Sequence, residues 1–170
     1  RECSVTTWTN ILEEKDDIVS CSDMVRYMRG MELVSLFRRR RSRSDLLVVD
    51  VRDSDFVGGH IAGAVHVPKD VLVREVEDYV RRWRGQGSGV STVKTVVVHC
   101  MFSQVRGPKA ARVLEEAWQK AEDAGEPSRE KVGAVEVCVL EGGFAGLVEN
   151  FRSEADLFED LDESQWGRIA

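Results

Sequence analysis

Three short runs of aliphatic and β-branched residues, 46–51 (LLVVDV), 93–98 (VKTVVV) and 135–140 (VEVCVL), constrain the fold of this chain more than any other feature. Each has the length of a strand, and none shows the strict apolar–polar alternation of a sheet with one wet face. Near-continuous apolar runs are what parallel strands covered on both faces look like. Between them lie stretches with helical spacing. Val71, Val73, Val76 and Val80 form one stripe of a helix expected from Asp70 to about Trp83. Ala110, Ala111, Leu114, Ala117 and Trp118 form another in a helix expected from near Gly107 to about Ala124. Strands alternating with helices predict an α/β fold whose central, mostly parallel sheet is flanked by helices and joined by right-handed crossovers. A chain of 170 residues has the length for one core, so a single domain over 1–170 is expected, with its core at about 18–150.

The remaining segments fit around that core. An irregular lead-in is expected over 1–14, where Arg1 in place of a starting methionine points to a processed or truncated chain, and a short edge strand at Ile18-Val19. Ser20 or Ser22 would cap a helix carrying Met24, Val25, Met28, Met31, Val34 and Leu36-Phe37 on its apolar face. Gly58-Gly59-His60 reads as a tight turn, 64–67 as a short strand stopped by Pro68, and 85–89 and 125–131 as loops. Gly142-Gly143 would let the backbone come close to whatever follows the strand at 93–98. An acidic tail, 154–163, closes the chain.

The chemistry concentrates at His99-Cys100-Met101-Phe102-Ser103-Gln104-Val105-Arg106-Gly107-Pro108, between a strand and a helix. Ligands of open α/β sheets bind at the C-terminal ends of strands, so Cys100 is delivered where a nucleophile is useful. The five residues between Cys100 and Arg106 can curl with their N–H groups inward, and the helix after them aims its positive end at the same point. Such surroundings lower a cysteine pKa from roughly 8.5 to about 3.5–7.5, so Cys100 is expected to attack as a thiolate. Arg106 offers a planar fork matched to two oxygens of a phosphate or arsenate. The expected oxyanion loop is Met101, Phe102, Ser103, Gln104, Val105 and Arg106, with the Ser103 hydroxyl donating to the thiolate or leaving thiol and Pro108 in the first helical turn. The blander alternative is a buried cysteine at a strand end beside a surface arginine.

Residues 99–112, HCMFSQVRGPKAAR, resemble the active loop of the cell-division-cycle dual-specificity phosphatases and of the eukaryotic arsenate and antimonate reductases that share their rhodanese-like fold. The resemblance extends to Val48-Val49-Asp50-Val51-Arg52, to the 58–65 stretch GGHIAGAV, and to Leu140-Glu141-Gly142-Gly143-Phe144. It implies a rhodanese-like fold and catalysis by Cys100 and Arg106, with His99, Asp50 and Gly107 supporting the loop. Asp50 and Glu141 are also weighed as general acids. Sulfurtransferases of this fold carry a loop one residue shorter. The cell-cycle phosphatases place glutamates just after the cysteine and just before the arginine, where this chain has Met101 and Val105. That difference, with the run from Ser103 to Lys109, resembles the small reductases, which use glutathione and in some cases glutaredoxin. The expected activity is thiol-dependent reduction of arsenate or antimonate. The alternatives are a protein-tyrosine or dual-specificity phosphatase acting through a cysteinyl phosphate, a sulfurtransferase, and a non-catalytic binding module.

Composition narrows the partners. A net charge of −6 argues against a nucleic-acid surface, and the basic cluster at Arg38-Arg39-Arg40-Arg41 and Arg43 fits a solvated helix end, where the macrodipole favours cations, better than a nuclear-localisation patch. No apolar run reaches the ~20 residues needed to cross a bilayer, and no signal peptide opens the chain, so a cytoplasmic location is expected, with a nuclear one as the alternative. Cys3, Cys21, Cys100 and Cys138 lack disulfide or metal-ligand spacing, and neither a metal nor a bound cofactor is expected. Cys138 should be a small buried hydrophobe, while Cys3 and Cys21 rank behind glutathione as resolving thiols. The expected partners are arsenate, antimonate or phosphate, a phosphotyrosine protein under the phosphatase reading, and a second copy of the chain if it dimerises.

Overall fold

The structure is a computed structural model that describes residues 25–39, 45–84, 93–124, 135–154 and 156–167. Its framework is a five-stranded sheet made from β1 (Arg26–Met28), β2 (Leu46–Asp50), β4 (Val65–His66), β5 (Thr95–His99) and β6 (Glu136–Leu140). They lie in the order β1-β6-β5-β2-β4, and every pairing is parallel. The three apolar runs are thus the three inner strands, and β5, which delivers Cys100, lies at the centre. A separate antiparallel pair joins β3 (His60–Ile61) to β7 (Phe158–Glu159).

Alternate side chains of the inner strands feed two cores. Val96, Val98, Val137 and Val139 face α2 (Lys69–Arg74), α3 (Val76–Trp83) and α4 (Arg106–Asp123), burying Leu72, Val80, Ala110, Ala111, Leu114, Ala117 and Trp118. Val48, Val97, Cys138 and Leu140 face α1 (Gly30–Arg39) and α5 (Gly143–Phe151), burying Leu33, Val34, Phe144, Leu147 and Val148. The apolar stripe expected on α4 is the buried one. Cys138 is buried as expected, and burial pushes its thiol up to about 11.

Several expectations are corrected. The helix placed from Ser20 or Ser22 through Met28 is instead strand β1 at 26–28, because Met28 pairs with Leu140 of β6 and fills the core there; the helix starts at Gly30. The single helix from Asp70 to Trp83 is two, separated at Glu75, where φ is −115° and ψ 21°. Leu72 and Val80 are the fully buried residues of the two helices, and Val71 and Val76 of the expected stripe pack against the same core half-buried. The acidic tail does more than close the chain. Leu157 is buried, and Phe158, Leu161 and Trp166 pack on the second core, the last from the end of the short helix α6 (Glu163–Trp166). The edge strand at 18–19, the loops at 85–89 and 125–131 and most of the arginine cluster lie outside the described residues; Arg38, at the end of α1, is paired with Glu154.

Candidate active site

β2 and β5 run side by side with Asp50 opposite His99, so the segments following them emerge together at one edge of the sheet. After β5 the chain presents Cys100 and bends through 101–105 into α4. Ser103 takes a φ of 51°, a left-handed conformation that a serine keeps only where its surroundings hold it. That twist points the Ser103 N–H at Cys100 Sγ, 3.2 Å away, and lets Ser103 Oγ accept from the Cys100 N–H at 3.4 Å. The sequence assigned the hydroxyl to the thiol; in the structure the backbone N–H faces the sulfur and the hydroxyl serves the loop itself. Among the described residues, the N–H groups of Met101, Phe102, Gln104, Val105 and Arg106 have no protein partner. Arg106 opens α4, whose 18 residues aim their dipole at this loop. Cys100 lies almost wholly buried at its floor, Met101 packs toward the second core, Gln104 is exposed, and Phe102 and Val105 form an apolar rim, 60% and 73% exposed.

The loop is held from below. A β-carbon on Gly143 would stand 2.5 Å from the Cys100 carbonyl oxygen and 2.6 Å from that of Met101, and the residue has a φ of 61°. Only glycine lets the start of α5 come so close, as the Gly142-Gly143 pair suggested. The N–H groups of Phe144 and Ala145 then donate to those two carbonyls, at 3.0 and 2.9 Å. Gly107 is buried but less tightly confined, since a β-carbon there would meet Ser103 Oγ at 3.2 Å.

Beneath this lies a buried ion pair. Asp50 and Arg52 are both fully buried, and Arg52 donates from Nε and Nη2 to both carboxylate oxygens at 2.7–3.0 Å. The same guanidinium donates to the carbonyls of Val57 and Gly59 and lies 4.2 Å from the Phe144 ring centroid and 4.7 Å from that of Phe56. Asp50 therefore anchors the 52–59 segment through Arg52 rather than bonding the active loop, and its committed carboxylate is unsuited to act as a general acid. Glu141, the other candidate acid, is exposed at the end of β6. His99 Nδ1 lies 3.4 Å from the Cys100 carbonyl, whereas its Nε2 lacks a hydrogen-bond partner and stands 3.7 Å from Asp50. Burial pushes the His99 pKa down, outweighing the opposing pull of Asp50, so its imidazole is neutral near pH 7. His60 pairs with Glu159, and His66 stacks on Phe56 at 3.7 Å.

Arg106 is engaged with two carboxylates that the sequence reading passed over. Nη1 donates to Asp53 at 3.0 Å and to Asp55 at 2.7 Å, and Nη2 to the other Asp55 oxygen at 2.5 Å. These hydrogen bonds lower the Asp55 carboxyl to about 2 and raise the Arg106 pKa. The signal for Arg52, Asp53 and Asp55 was present: a charged stretch directly after a strand, at the sheet edge where the neighbouring strand leaves its nucleophile. No cluster among the described residues is placed to hold a metal ion, and no described helix is long and apolar enough to cross a membrane.

With that geometry in place, similarity to known proteins becomes specific. The family model of the rhodanese-like domain matches residues 33–150. The chain belongs to the rhodanese-like domain family. Within it, the chain is 32% identical to the dual specificity phosphatase ibp1 of Schizosaccharomyces pombe over 125 residues, 69% of this chain and 86% of that protein. It is 31% identical to arsenical-resistance protein 2 of Saccharomyces cerevisiae, over 71% of this chain and 86% of that one. Among solved structures, the As-Sb reductase from Leishmania major superposes with a TM-score of 0.63 at 26% identity, over 79% of this chain and 85% of that one. The rhodanese-like fold and the mixed resemblance to reductases and phosphatases are as the active-loop sequence implied.

Proposed function

We propose that this protein reduces arsenate, and antimonate by the same chemistry, to the trivalent oxyanion. Cys100 is the nucleophile, Arg106 and the N–H groups of Met101, Phe102, Gln104 and Val105 bind the oxyanion, and glutathione, directly or through glutaredoxin, supplies the electrons. The Cys100 thiolate attacks pentavalent arsenic, and a protonated arsenate oxygen leaves as water. A glutathione thiolate then attacks Cys100 Sγ. The S–As bond breaks with its electron pair passing to arsenic, which releases arsenite and leaves a mixed disulfide on Cys100. A second glutathione reduces that disulfide and departs as oxidised glutathione.

The location of the carboxylates carries the choice. Asp50 is locked onto Arg52, Asp55 is held ionised by Arg106, and the positions flanking the cysteine and arginine are Met101 and Val105. Ester hydrolysis needs a proton donor for a poor leaving oxygen, worth about 10²–10⁴-fold in rate. Arsenate exchanges its oxygens readily and asks less of such a group. One observation favours the phosphatase as a second reading. The rim of Phe102 and Val105 would pack against a phosphotyrosine ring, with the phosphoryl group passing to Cys100 and then to water. The proposed setting is the cytoplasm, with the nucleus as the alternative.

The test assays arsenite formation with glutathione beside aryl-phosphate hydrolysis, on one preparation. Reduction is expected to vanish in Cys100→Ser and to fall about 10²–10³-fold in Arg106→Ala, the loss typical of one preorganised oxyanion donor. Wild-type-like reduction by the serine variant would refute the assignment. Hydrolysis without reduction would install the phosphatase.

A further inference from the structure

Arg106 has five N–H bonds in a planar fork, and three of them are occupied. Nη1 gives both of its hydrogens, to Asp53 and Asp55, and Nη2 gives one to the second Asp55 oxygen, so Asp55 takes the end-on face of the guanidinium. The remaining two, on Nε and on the outer side of Nη2, have no partner among the described residues. In a planar guanidinium these two are parallel and lie along the same edge, which is itself a bidentate site for two oxygens of a tetrahedral anion.

The carboxylates that hold the fork are themselves fixed. Asp55 Oδ1 also accepts the Asp53 N–H at 3.0 Å, and the Phe56 N–H closes the turn onto the Asp53 carbonyl at 3.1 Å. The far end of the segment is tied down by Arg52, buried, donating to Val57 and Gly59. A carboxylate on so tight a turn acts as a rail for Arg106 rather than as a mobile rival to the ligand.

We propose that Asp55, assisted by Asp53, is a positioning residue: it grips the end-on face of Arg106 and so presents the Nε–Nη2 edge to the oxyanion over Cys100. This rests on the oxyanion reading above, and it extends that reading from the Cys100–Arg106 loop to the turn after β2. Its consequence is that oxyanion affinity depends on a residue that never touches the oxyanion. Asp55→Asn should keep one acceptor and lose the charge and the matched fork; Asp55→Glu keeps both with a longer reach.

The experiment uses inorganic phosphate, which fills the loop without being reduced, and measures how it protects Cys100 from alkylation by iodoacetamide, read by mass spectrometry. Phosphate is expected to protect the wild type. Asp55→Asn should need about tenfold more phosphate for half protection, equivalent to about 1.4 kcal/mol. Asp55→Glu should recover part of the loss, and Asp53→Asn should lose less than Asp55→Asn. In an Arg106→Lys background, Asp55→Asn should add little, because an ammonium has no edge to orient. Protection of Asp55→Asn at wild-type or lower phosphate would overturn the proposal, making Asp55 a bystander or a competitor. Lack of protection in the wild type would overturn the oxyanion reading, and this one with it.

Discussion

At the scale of single residues, the site is two charge pairs with opposite surroundings. Arg106 and Asp55 are partly exposed, so their pairing is a matter of geometry more than stability. Asp50 and Arg52 are sealed from water, where removing one partner strands the other. Asp50→Asn is therefore expected to destabilise the fold by about 3–5 kcal/mol, as breaking buried pairs does, and urea unfolding would measure it. A loss below about 1 kcal/mol would show that Arg52 finds sufficient partners in the Val57 and Gly59 carbonyls and the two aromatic rings. Cys100 and Arg106 were legible in the sequence because their residue types and spacing name a chemistry. For Arg52, Asp53 and Asp55 the sequence offered only a charged stretch after a strand, which looks the same whether it ends in solvent or under a loop. Only the register that sets Asp50 beside His99 shows where that stretch goes.

At the scale of elements, the active loop is a strand–loop–helix unit clamped by the start of a second helix. The close approach of α5 leaves no room for a side chain at residue 143, and its φ is one that side chains resist. Gly143→Ala is expected to cost about 1–3 kcal/mol from backbone strain alone, more once the loop is displaced, and to lower oxyanion reduction and phosphate protection of Cys100 together. A variant with wild-type kinetics would mean that α5 can back away without moving the loop. The inner strands were readable because β-branched apolar runs have few alternatives, and α4 because its stripe is long. β1 was misread because Met24, Val25, Met28 and Met31 fit a helical spacing, whereas pairing with β6 decided the conformation of 26–28. Tertiary context overrode a weak local pattern there.

At the scale of the whole molecule, the C-terminal segment ties the site to the rest of the chain. Trp166 Nε1 donates to the Gly58 carbonyl at 2.7 Å and its ring meets that of Phe144 edge-on at 5.5 Å, while β7 pairs with β3. The turn that carries Asp53 and Asp55 is thus closed from outside by a tail whose acidity concealed Leu157, Phe158, Leu161 and Trp166 as core residues. The global stability carries a signature of the buried His99. Its folded pKa is depressed, so in acid the unfolded chain takes up a proton that the folded chain refuses, and stability falls as pH drops below the ordinary histidine value near 6.5. The contribution of this one group to the slope is at most about 1.4 kcal/mol per pH unit. His99→Gln should flatten that part of the curve in urea unfolding between about pH 5 and about pH 7; an unchanged slope would assign the acid sensitivity to other groups.

The proposed function requires a sulfur that attacks an oxyanion and is then released by a thiol. The most direct measurement is mass spectrometry of Cys100 in enzyme quenched during turnover with arsenate and glutathione. The account predicts glutathione joined to Cys100, dependent on arsenate and absent in Arg106→Ala. Arsenite accumulating while Cys100 remains a free thiol throughout would contradict it.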